Sequence, residues 1–201
     1  INAATDGAVG GNLSVTATTE NITQNTALTI SGTTTLTTSA NDATITLNNT
    51  GNAFTGAMTI TTNDDNSGGT WDADVTIDGG TTALQIATST IDGDLTLTTG
   101  DSNGITDTGT VTVGGNFSAT TDANSGVINV GTMAVDGTAA LNTNGTGAAT
   151  IVNDAGLNFA ASTVGGALSG TATTGDITDS GTLAITGAAT FITAATGSNI
   201  V

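Results

Sequence analysis

Apolar and polar residues alternate along most of the chain, in stretches such as "ALTISG", "TVTVGG" and "ATITLNN". Apolar side chains at every second position predict short strands with one buried face and one exposed face. Asp-Gly and Asn-Gly pairs separate many of these stretches and favour turns with a positive φ. No window of helical length keeps the period of a helix, and the abundant Thr, Gly and Asn disfavour helix. The pattern therefore predicts an all-β fold.

Whole phrases recur at long intervals. The stretch "LQIATSTIDGDLTL" (84–97) aligns with "LNFAASTVGGALSG" (157–170), and "VGGNLSV" (9–15) aligns with its second half. Each copy is followed by a second phrase in the same order: "ITQNTALTISGTTTL" (22–36), "ITDTGTVTVGGNF" (105–117) and "ITDSGTLAITGAATF" (177–191). Because the order persists, the sequence contains a long repeat of about 73 to 83 residues.

A shorter repeat lies within the long one. A Thr-apolar-x-apolar unit recurs at Val111, Met133, Leu157 and Leu183. We therefore predict a parallel β-helix (β-solenoid) of about eight coils of about 22–26 residues, three to each long repeat. Right-handed winding is the default for parallel crossovers. Equivalent phrase positions hold Leu36, Phe117 and Phe191, which we expect to stack as one apolar column.

Two other architectures are compatible with short alternating strands and turns. A β-sandwich or barrel also has many short strands and turns, but such folds rarely repeat a long ordered phrase. Disorder is the other alternative, because Leu, Ile, Val and Phe form only about a fifth of a chain with a net charge of −17. The regular placement of the apolar residues argues against it. We treat 1–201 as one repetitive segment with units 1–83, 84–156 and 157–201, and expect it to be an internal part of a longer chain.

The composition excludes several classes of function. The chain has no Lys, Arg, His or Cys, so a Ser–His pair, a thiolate nucleophile and a Schiff base are all impossible. A net charge of −17 disfavours nucleic acid, and no apolar run is long enough for membrane insertion. Glu20 is the only Glu, which leaves little basis for a pair of glycosidase carboxyls. We predict that the protein is not an enzyme.

One stretch brings a family resemblance. The sequence "ITLNNTGNAFTGAMTI" (45–60), together with the two recurring phrases, resembles the repeats of filamentous-haemagglutinin-like exoproteins. It is also similar to the β-strand-repeat regions of large bacterial surface proteins and to autotransporter passenger domains. The resemblance implies a right-handed parallel β-helix, secretion to the cell surface, and a role as a shaft, adhesin or fibre. The family supplies no catalytic residues.

The densest polar segment is "TNDDNSGGTWDADVTIDGG" (62–80). Alternation places Trp71, Ala73, Val75 and Ile77 on the core face, and the phenylalanines at 54, 117, 159 and 191 are also predicted to be core. Carboxylates two residues apart on a strand are about 7 Å apart, and Ca²⁺ takes six to eight oxygens. A calcium site is therefore a hypothesis that needs several acidic residues at once: Asp64, Asp65, Asp72, Asp74 and Asp78. The alternative is a solvated acidic surface. No other cofactor is expected.

Three functions fit the predicted solenoid. The first is a structural segment of a secreted bacterial surface or fibre protein, whose partners are copies of itself or the rest of a longer chain. The second is an adhesin module that binds glycans or a host surface, and both functions imply an extracellular location. The third is ice binding by outward threonines. The Thr-x-Thr pairs at 35/37, 44/46 and 96/98 occupy different points of the phrase, so a flat regular threonine face is not expected.

Overall fold

The computed structural model describes residues 8–65 and 72–201. These residues form strands joined by turns, and no helix occurs among them. The strands are β1 Ala8–Val9, β2 Leu13–Ala17, β3 Ile22–Thr23, β4 Thr29–Ile30, β5 Thr34–Thr38, β6 Ile45–Leu47, β7 Ala53–Phe54, β8 Met58–Thr61, β9 Val75–Asp78, β10 Leu84–Ile86, β11 Ser89–Ile91, β12 Leu95–Thr99, β13 Ile105–Asp107, β14 Val111–Val113, β15 Phe117–Thr121, β16 Ile128–Val135, β17 Thr138–Thr143, β18 Ala149–Asn153, β19 Leu157–Phe159, β20 Ser162–Val164, β21 Leu168–Ala172, β22 Ile177–Asp179, β23 Leu183–Ile185 and β24 Ala189–Thr193.

These strands stack as the coils of a parallel β-solenoid of about nine turns, which confirms the predicted fold class. Eleven strands, from β2 to β24, form what we call the first sheet, and ten, from β3 to β23, form the second sheet. The strands β1, β4 and β7 form a small third sheet. Because successive coils supply each other's hydrogen-bond partners, the alternating strands need no distant segment to complete their ladders. Right-handed winding stays a prediction.

Most turns are slightly shorter than the sequence suggested. Phe117 stacks on Leu95 and Leu168 stacks on Ala149, and the second pair is closer in sequence than the shortest predicted coil. The step from Ile45 to its stacking partner Val75 is the exception, because these two residues are much farther apart in sequence than the other stacked pairs. The shorter turns explain why the chain completes nine coils instead of the predicted eight. Leu157 lies in the opposite sheet from Met133, so the spacing of those two residues does not measure a coil.

Inward side chains from both sheets pack into one core. Phe54, Phe117 and Phe159 are almost completely buried, as predicted, and Phe191 packs against this core while remaining partly exposed. Ala73, Val75 and Ile77 are also buried, which confirms the predicted alternation on β9. Trp71, predicted to join them, lies outside the described residues. The strict burial alternation makes the hydrophobic effect the main force that fixes which face of each strand points inward.

Most turns of the solenoid place a long strand in one sheet and a pair of short strands on the opposite side of the core. Over residues 84–135 the second sheet receives the long strands β12 and β15, while the first sheet receives pairs such as β10 with β11. After β17 and β18, two long strands in succession, the arrangement is exchanged, and the long strand β21 joins the first sheet. The long strands therefore change from the second sheet to the first at this point. We call this change the second face exchange, because an earlier one precedes it in the chain. The succession of β8 and β9 makes an equivalent first face exchange.

The face exchanges mean that the long repeat spans about three and a half turns. Three steps from one coil to the next lead from Leu95 to Phe159 within the second sheet. The strand β21, which carries the phrase that matches β12, begins half a turn after Phe159 and lies in the first sheet. Copies of one phrase therefore lie on opposite sides of the core. The predicted column of Leu36, Phe117 and Phe191 is wrong for this reason. Phe117 belongs to the second sheet, whereas the other two belong to the first.

Two buried serines complete the ladder where a long strand meets a pair of short ones. The break between β10 and β11 lies over β8, and the Oγ of Ser89 accepts a hydrogen bond from the Ile60 N–H at 2.9 Å. The Oγ of Ser162 accepts from the Leu141 N–H at 3.0 Å in the same way. Each serine also donates to a nearby carbonyl earlier in the chain, and each is 3% exposed. The serines thus replace ladder bonds that the interrupted strand cannot supply.

The glycines of the Asp-Gly pairs were predicted to adopt a positive φ, but the structure requires them for a different reason. Asn-Gly does give positive φ, at Gly104 and Gly145. Gly93 and Gly137 do not show positive φ, but they occupy a tightly stacked corner. A Cβ on Gly93 would lie 2.6 Å from the Ala73 carbonyl carbon, and one on Gly137 would lie 2.5 Å from the Gly115 oxygen. Close coil-to-coil approach therefore requires glycine here.

Candidate functional site

The predicted acidic residues divide into two groups. Asp64 and Asp65 lie beside Asp42 of the preceding coil, and carboxylate oxygens of the three lie within 4.8 Å of one another. Asp72 is near enough to repel the charge of Asp42. Asp74 and Asp78 instead receive hydrogen bonds from the backbone N–H groups of Asp94 and Gly80. The structure therefore brings together only part of the predicted set.

Asp42 was missed in the sequence because it lies one coil before Asp64, in a turn that no local pattern connects with it. Its backbone has a φ of 62°, and its N–H donates to the Asn63 carbonyl at 3.0 Å, which holds the two segments side by side. The pKa of Asp42 is raised, first by a hydrogen bond with the Asp64 carboxyl and then by desolvation and neighbouring negative charges. The side-chain amide of Asn41 donates to Asp65 at 2.7 Å. The predicted Ca²⁺ site stays a prediction, and of its five residues only Asp64 and Asp65 join Asp42 in this cluster.

Asp74 begins a ladder of polar side chains along one corner of the solenoid. Its Oδ1 accepts from the Asp94 N–H at 2.8 Å, and the Oδ1 of Asp94 accepts from the Asn116 N–H at 2.6 Å. The Oδ1 of Asn116 then accepts from the Thr138 N–H at 2.9 Å. Burial of Asp74 raises its pKa, which the Asp94 N–H partly opposes. Each side chain in this ladder connects two coils, so these groups stabilise the corner.

A groove opens where this ladder ends, beside the second face exchange. It is an open cavity of about 430 Å³, lined by residues of three successive corners: 135–138, 155–158, and Asp176 with Thr178. We call this cavity the exchange groove. The connection from β18 to β19, which borders the groove, has only three residues. The equivalent connection at the first face exchange, from β9 to β10, has five. A smaller cavity of about 290 Å³ is lined by Met133, Val152 and Asp154, among others.

Polar groups of the exchange groove have spare capacity to accept hydrogen bonds. The Oδ1 of Asn158 is buried and accepts no hydrogen bond from the described part of the chain. The carboxylate of Asp136 is exposed and has no hydrogen-bond partner among residues 8–65 and 72–201. Asp176 uses Oδ1 to accept from the Asn199 N–H at 2.7 Å. No signal in the sequence marked this groove, because it arises from the exchange of strand roles between the sheets.

Outward threonines do stack in columns, contrary to the irregularity expected. On the first sheet one column of neighbours contains five threonines: Thr16, Thr37, Thr61, Thr90 and Thr112. On the second sheet Thr96 and Thr98 stack over Thr76 and Asp78, so a carboxylate interrupts the array. The phrase offsets in the sequence were misleading because successive copies lie on opposite sheets. Ice binding stays the least favoured of the three functions considered.

Comparison with known proteins identifies the repeat. A family model described as repeats of unknown function (DUF5649) matches residues 2–61, 72–129 and 146–201. The chain belongs to this family. Its three matched segments confirm that DUF5649 repeats recur along the sequence, although nothing in the comparison supports filamentous-haemagglutinin-like or autotransporter repeats in particular. Neither the curated proteins nor the solved structures give a significant match.

Among residues 8–65 and 72–201 there is no helix long and apolar enough to cross a bilayer.

Proposed function

We propose that this DUF5649 chain is a structural segment of a secreted bacterial surface or fibre protein, and that it acts as a stiff shaft without catalytic activity. The observation that carries the proposal is the coil-to-coil ladder around one core through about nine turns. At about 4.8 Å per coil, nine turns extend roughly 40 Å. A role as a shaft requires repetition and stiffness, and a stacked ladder provides both.

The resemblance to surface exoproteins supports an extracellular location, and the high negative charge supports a controlled form of self-association. In this proposal copies of the chain, or further repeats of a longer chain, are its partners. Every described Asp lies in a turn or loop, or at the last residue of a strand, so the centres of the strands carry no charge. Lateral contact between shafts therefore depends on screening of the acidic corners.

The first experiment tests location and shape together. Antibodies against the chain should label intact cells of the source organism, and the purified chain should appear in electron micrographs as rods that associate when salt is added. Labelling that requires permeabilised cells would overturn the extracellular location. Compact particles that remain single at every salt concentration would overturn self-association while leaving the solenoid itself intact.

A further inference from the structure

The exchange groove has the chemistry of a binding site for a neutral sugar, and we propose that it binds one. This inference goes beyond the proposed role as a shaft, because it assigns a ligand to one place on the solenoid. The cavity of about 430 Å³ lies within the range of about 300–1,000 Å³ typical of small-molecule sites. In the coils before the groove, hydrogen bonds of the polar ladder from Asp74 to Thr138 join each corner to the next. The groove begins where this ladder ends.

The donors and acceptors of the groove select the class of ligand. Asp136, Asn158 and Asp176 all offer oxygen acceptors, and the chain contains no Lys, Arg or His. An anion would therefore be repelled, whereas hydroxyl groups would donate to the unpaired acceptors. The buried Oδ1 of Asn158 has no partner within the described residues, so a small shift that lets it accept a hydroxyl proton would remove an energetic penalty.

A bare metal ion fits this groove less well than a sugar. Ca²⁺ needs six to eight oxygens at about 2.3–2.6 Å from one point. Within the described part of the chain, only Asp42, Asp64 and Asp65 bring three acidic groups within 4.8 Å, and none of them lines the groove. The half-buried Ala155 and Gly156 contribute apolar atoms to the lining, against which the C–H face of a sugar ring can pack. A ligand with both hydroxyl donors and an apolar face is a neutral saccharide.

The test uses the purified chain and a panel of neutral sugars: glucose, galactose, mannose, N-acetylglucosamine and their β-linked disaccharides. Saturation-transfer NMR detects binding, and amide shift changes locate it. We expect at least one sugar to bind and to shift the amides of Thr138, Asn158 and Thr178. Asn158→Ala should weaken binding by about tenfold or more, as expected for loss of a hydrogen bond to a buried acceptor. Asp136→Asn keeps an acceptor oxygen at an exposed position and loses only its charge, so it should weaken binding by about threefold.

Matched variants separate binding from folding. Ala155→Leu should fill the groove and abolish binding, whereas Ala123→Leu, at another half-buried turn position, should bind like the wild type. Asp122→Asn is the charge-matched control for Asp136→Asn, since both carboxylates are exposed. Circular dichroism and thermal unfolding should show that each variant remains folded.

Several results would overturn the proposal. The first is that no neutral sugar binds, and the second is that binding shifts amides away from the groove or persists unchanged in Ala155→Leu. Glucosamine, whose amine is protonated, is added to the panel as a cationic comparison. Binding of glucosamine without binding of any neutral sugar would show that the carboxylates select a cation instead. None of these results would alter the proposed shaft, because rod formation and cell-surface labelling are measured without sugar.

Discussion

Ser89 and Ser162 are the single residues on which the face exchanges depend most directly. Each accepts a hydrogen bond from the backbone of a neighbouring coil at a point where the strand ladder is interrupted. The conversion of either serine to alanine would leave one buried N–H, of Ile60 or Leu141, without an acceptor. We expect Ser89→Ala and Ser162→Ala each to lower the free energy of unfolding by about 1–3 kcal/mol, measured by urea denaturation.

The control for this prediction is Ser118→Ala on the outward face of β15. The Ser118 hydroxyl makes no hydrogen bond to a described residue, so the change should stay within about 0.5 kcal/mol. Amide hydrogen exchange at Ile60 and Leu141 should also accelerate in the two buried variants. Equal effects for all three serines would show that the buried hydroxyls do not replace ladder bonds.

Asp42 gives a prediction for pH dependence. Its pKa in the folded protein is raised above 3.8, so the folded state binds this proton more tightly than the unfolded chain does. The contribution of Asp42 to stability therefore increases as the pH falls through the raised pKa, and is complete below 3.8. Asp42→Asn should raise the Tm at neutral pH and reduce the gain on acidification. Asp122→Asn is the control, and an equal effect there would indicate general charge repulsion.

The same acidic group permits a test of calcium binding. If Asp42, Asp64 and Asp65 bind Ca²⁺, the ion should raise the Tm of the wild type and should offset the repulsion that raises the pKa of Asp42. Asp65→Asn should remove most of this increase. NaCl at matched ionic strength serves as the control. A similar increase in the variant, or with NaCl alone, would contradict a specific site.

At the level of strands, the alternation between inward and outward positions decides what each residue tolerates. Gly170 lies at the centre of β21, and a Cβ there would lie 2.7 Å from Cζ of Phe159 in the opposite sheet. Phe159 also makes an edge-to-face contact with Phe191, with ring centroids 5.7 Å apart. A small residue in one strand therefore makes room for an aromatic ring from the other sheet.

We expect Gly170→Val to destabilise the solenoid by about 1–3 kcal/mol through overpacking, measured by urea unfolding. The adjacent substitution Ser169→Val points outward on the same strand and should change stability by less than about 0.5 kcal/mol. If Ser169→Val were the more damaging of the two, the assignment of faces on β21 would be wrong.

For the whole molecule, the distribution of charge is the dominant feature. The net charge is −17, the chain has no basic side chain, and the described carboxylates of the aspartates lie in loops or at strand ends. Stacked coils bring some of them together, as at Asp42, Asp64 and Asp65, whose carboxylate oxygens lie within 4.8 Å of one another. Repulsion within one molecule and between neighbouring molecules should therefore weaken as salt is added.

We expect the Tm and the light scattering of the purified chain both to increase when ionic strength rises from about 0.01 M to 0.15 M, since the Debye length falls from about 30 Å to 8 Å. Choline chloride is a suitable control for NaCl, because its bulky cation screens charge without entering a carboxylate site. Stability and association that do not change with either salt would contradict a repulsive role for the acidic corners.

The sequence by itself determined the local structure and the class of fold. Alternation in stretches such as β5, β12 and β15 fixed the buried face of each strand, because burial of apolar side chains depends only on local order. The ordered phrases also predicted stacked coils. Of the acidic site, Asp64 and Asp65 could be named from their density in the chain.

Only the tertiary structure decided which coil faces which. The repeated phrases do not show where one turn of the solenoid ends, because the long repeat spans about three and a half turns. The alternation of apolar and polar residues is the same on both sheets, so it does not reveal the extra half turn. Closure depends instead on how many residues each corner needs to bring stacked strands into register. The proximity of Asp42 to Asp64, the buried role of Ser162 and the exchange groove all follow from that register, so they could not be predicted from local sequence.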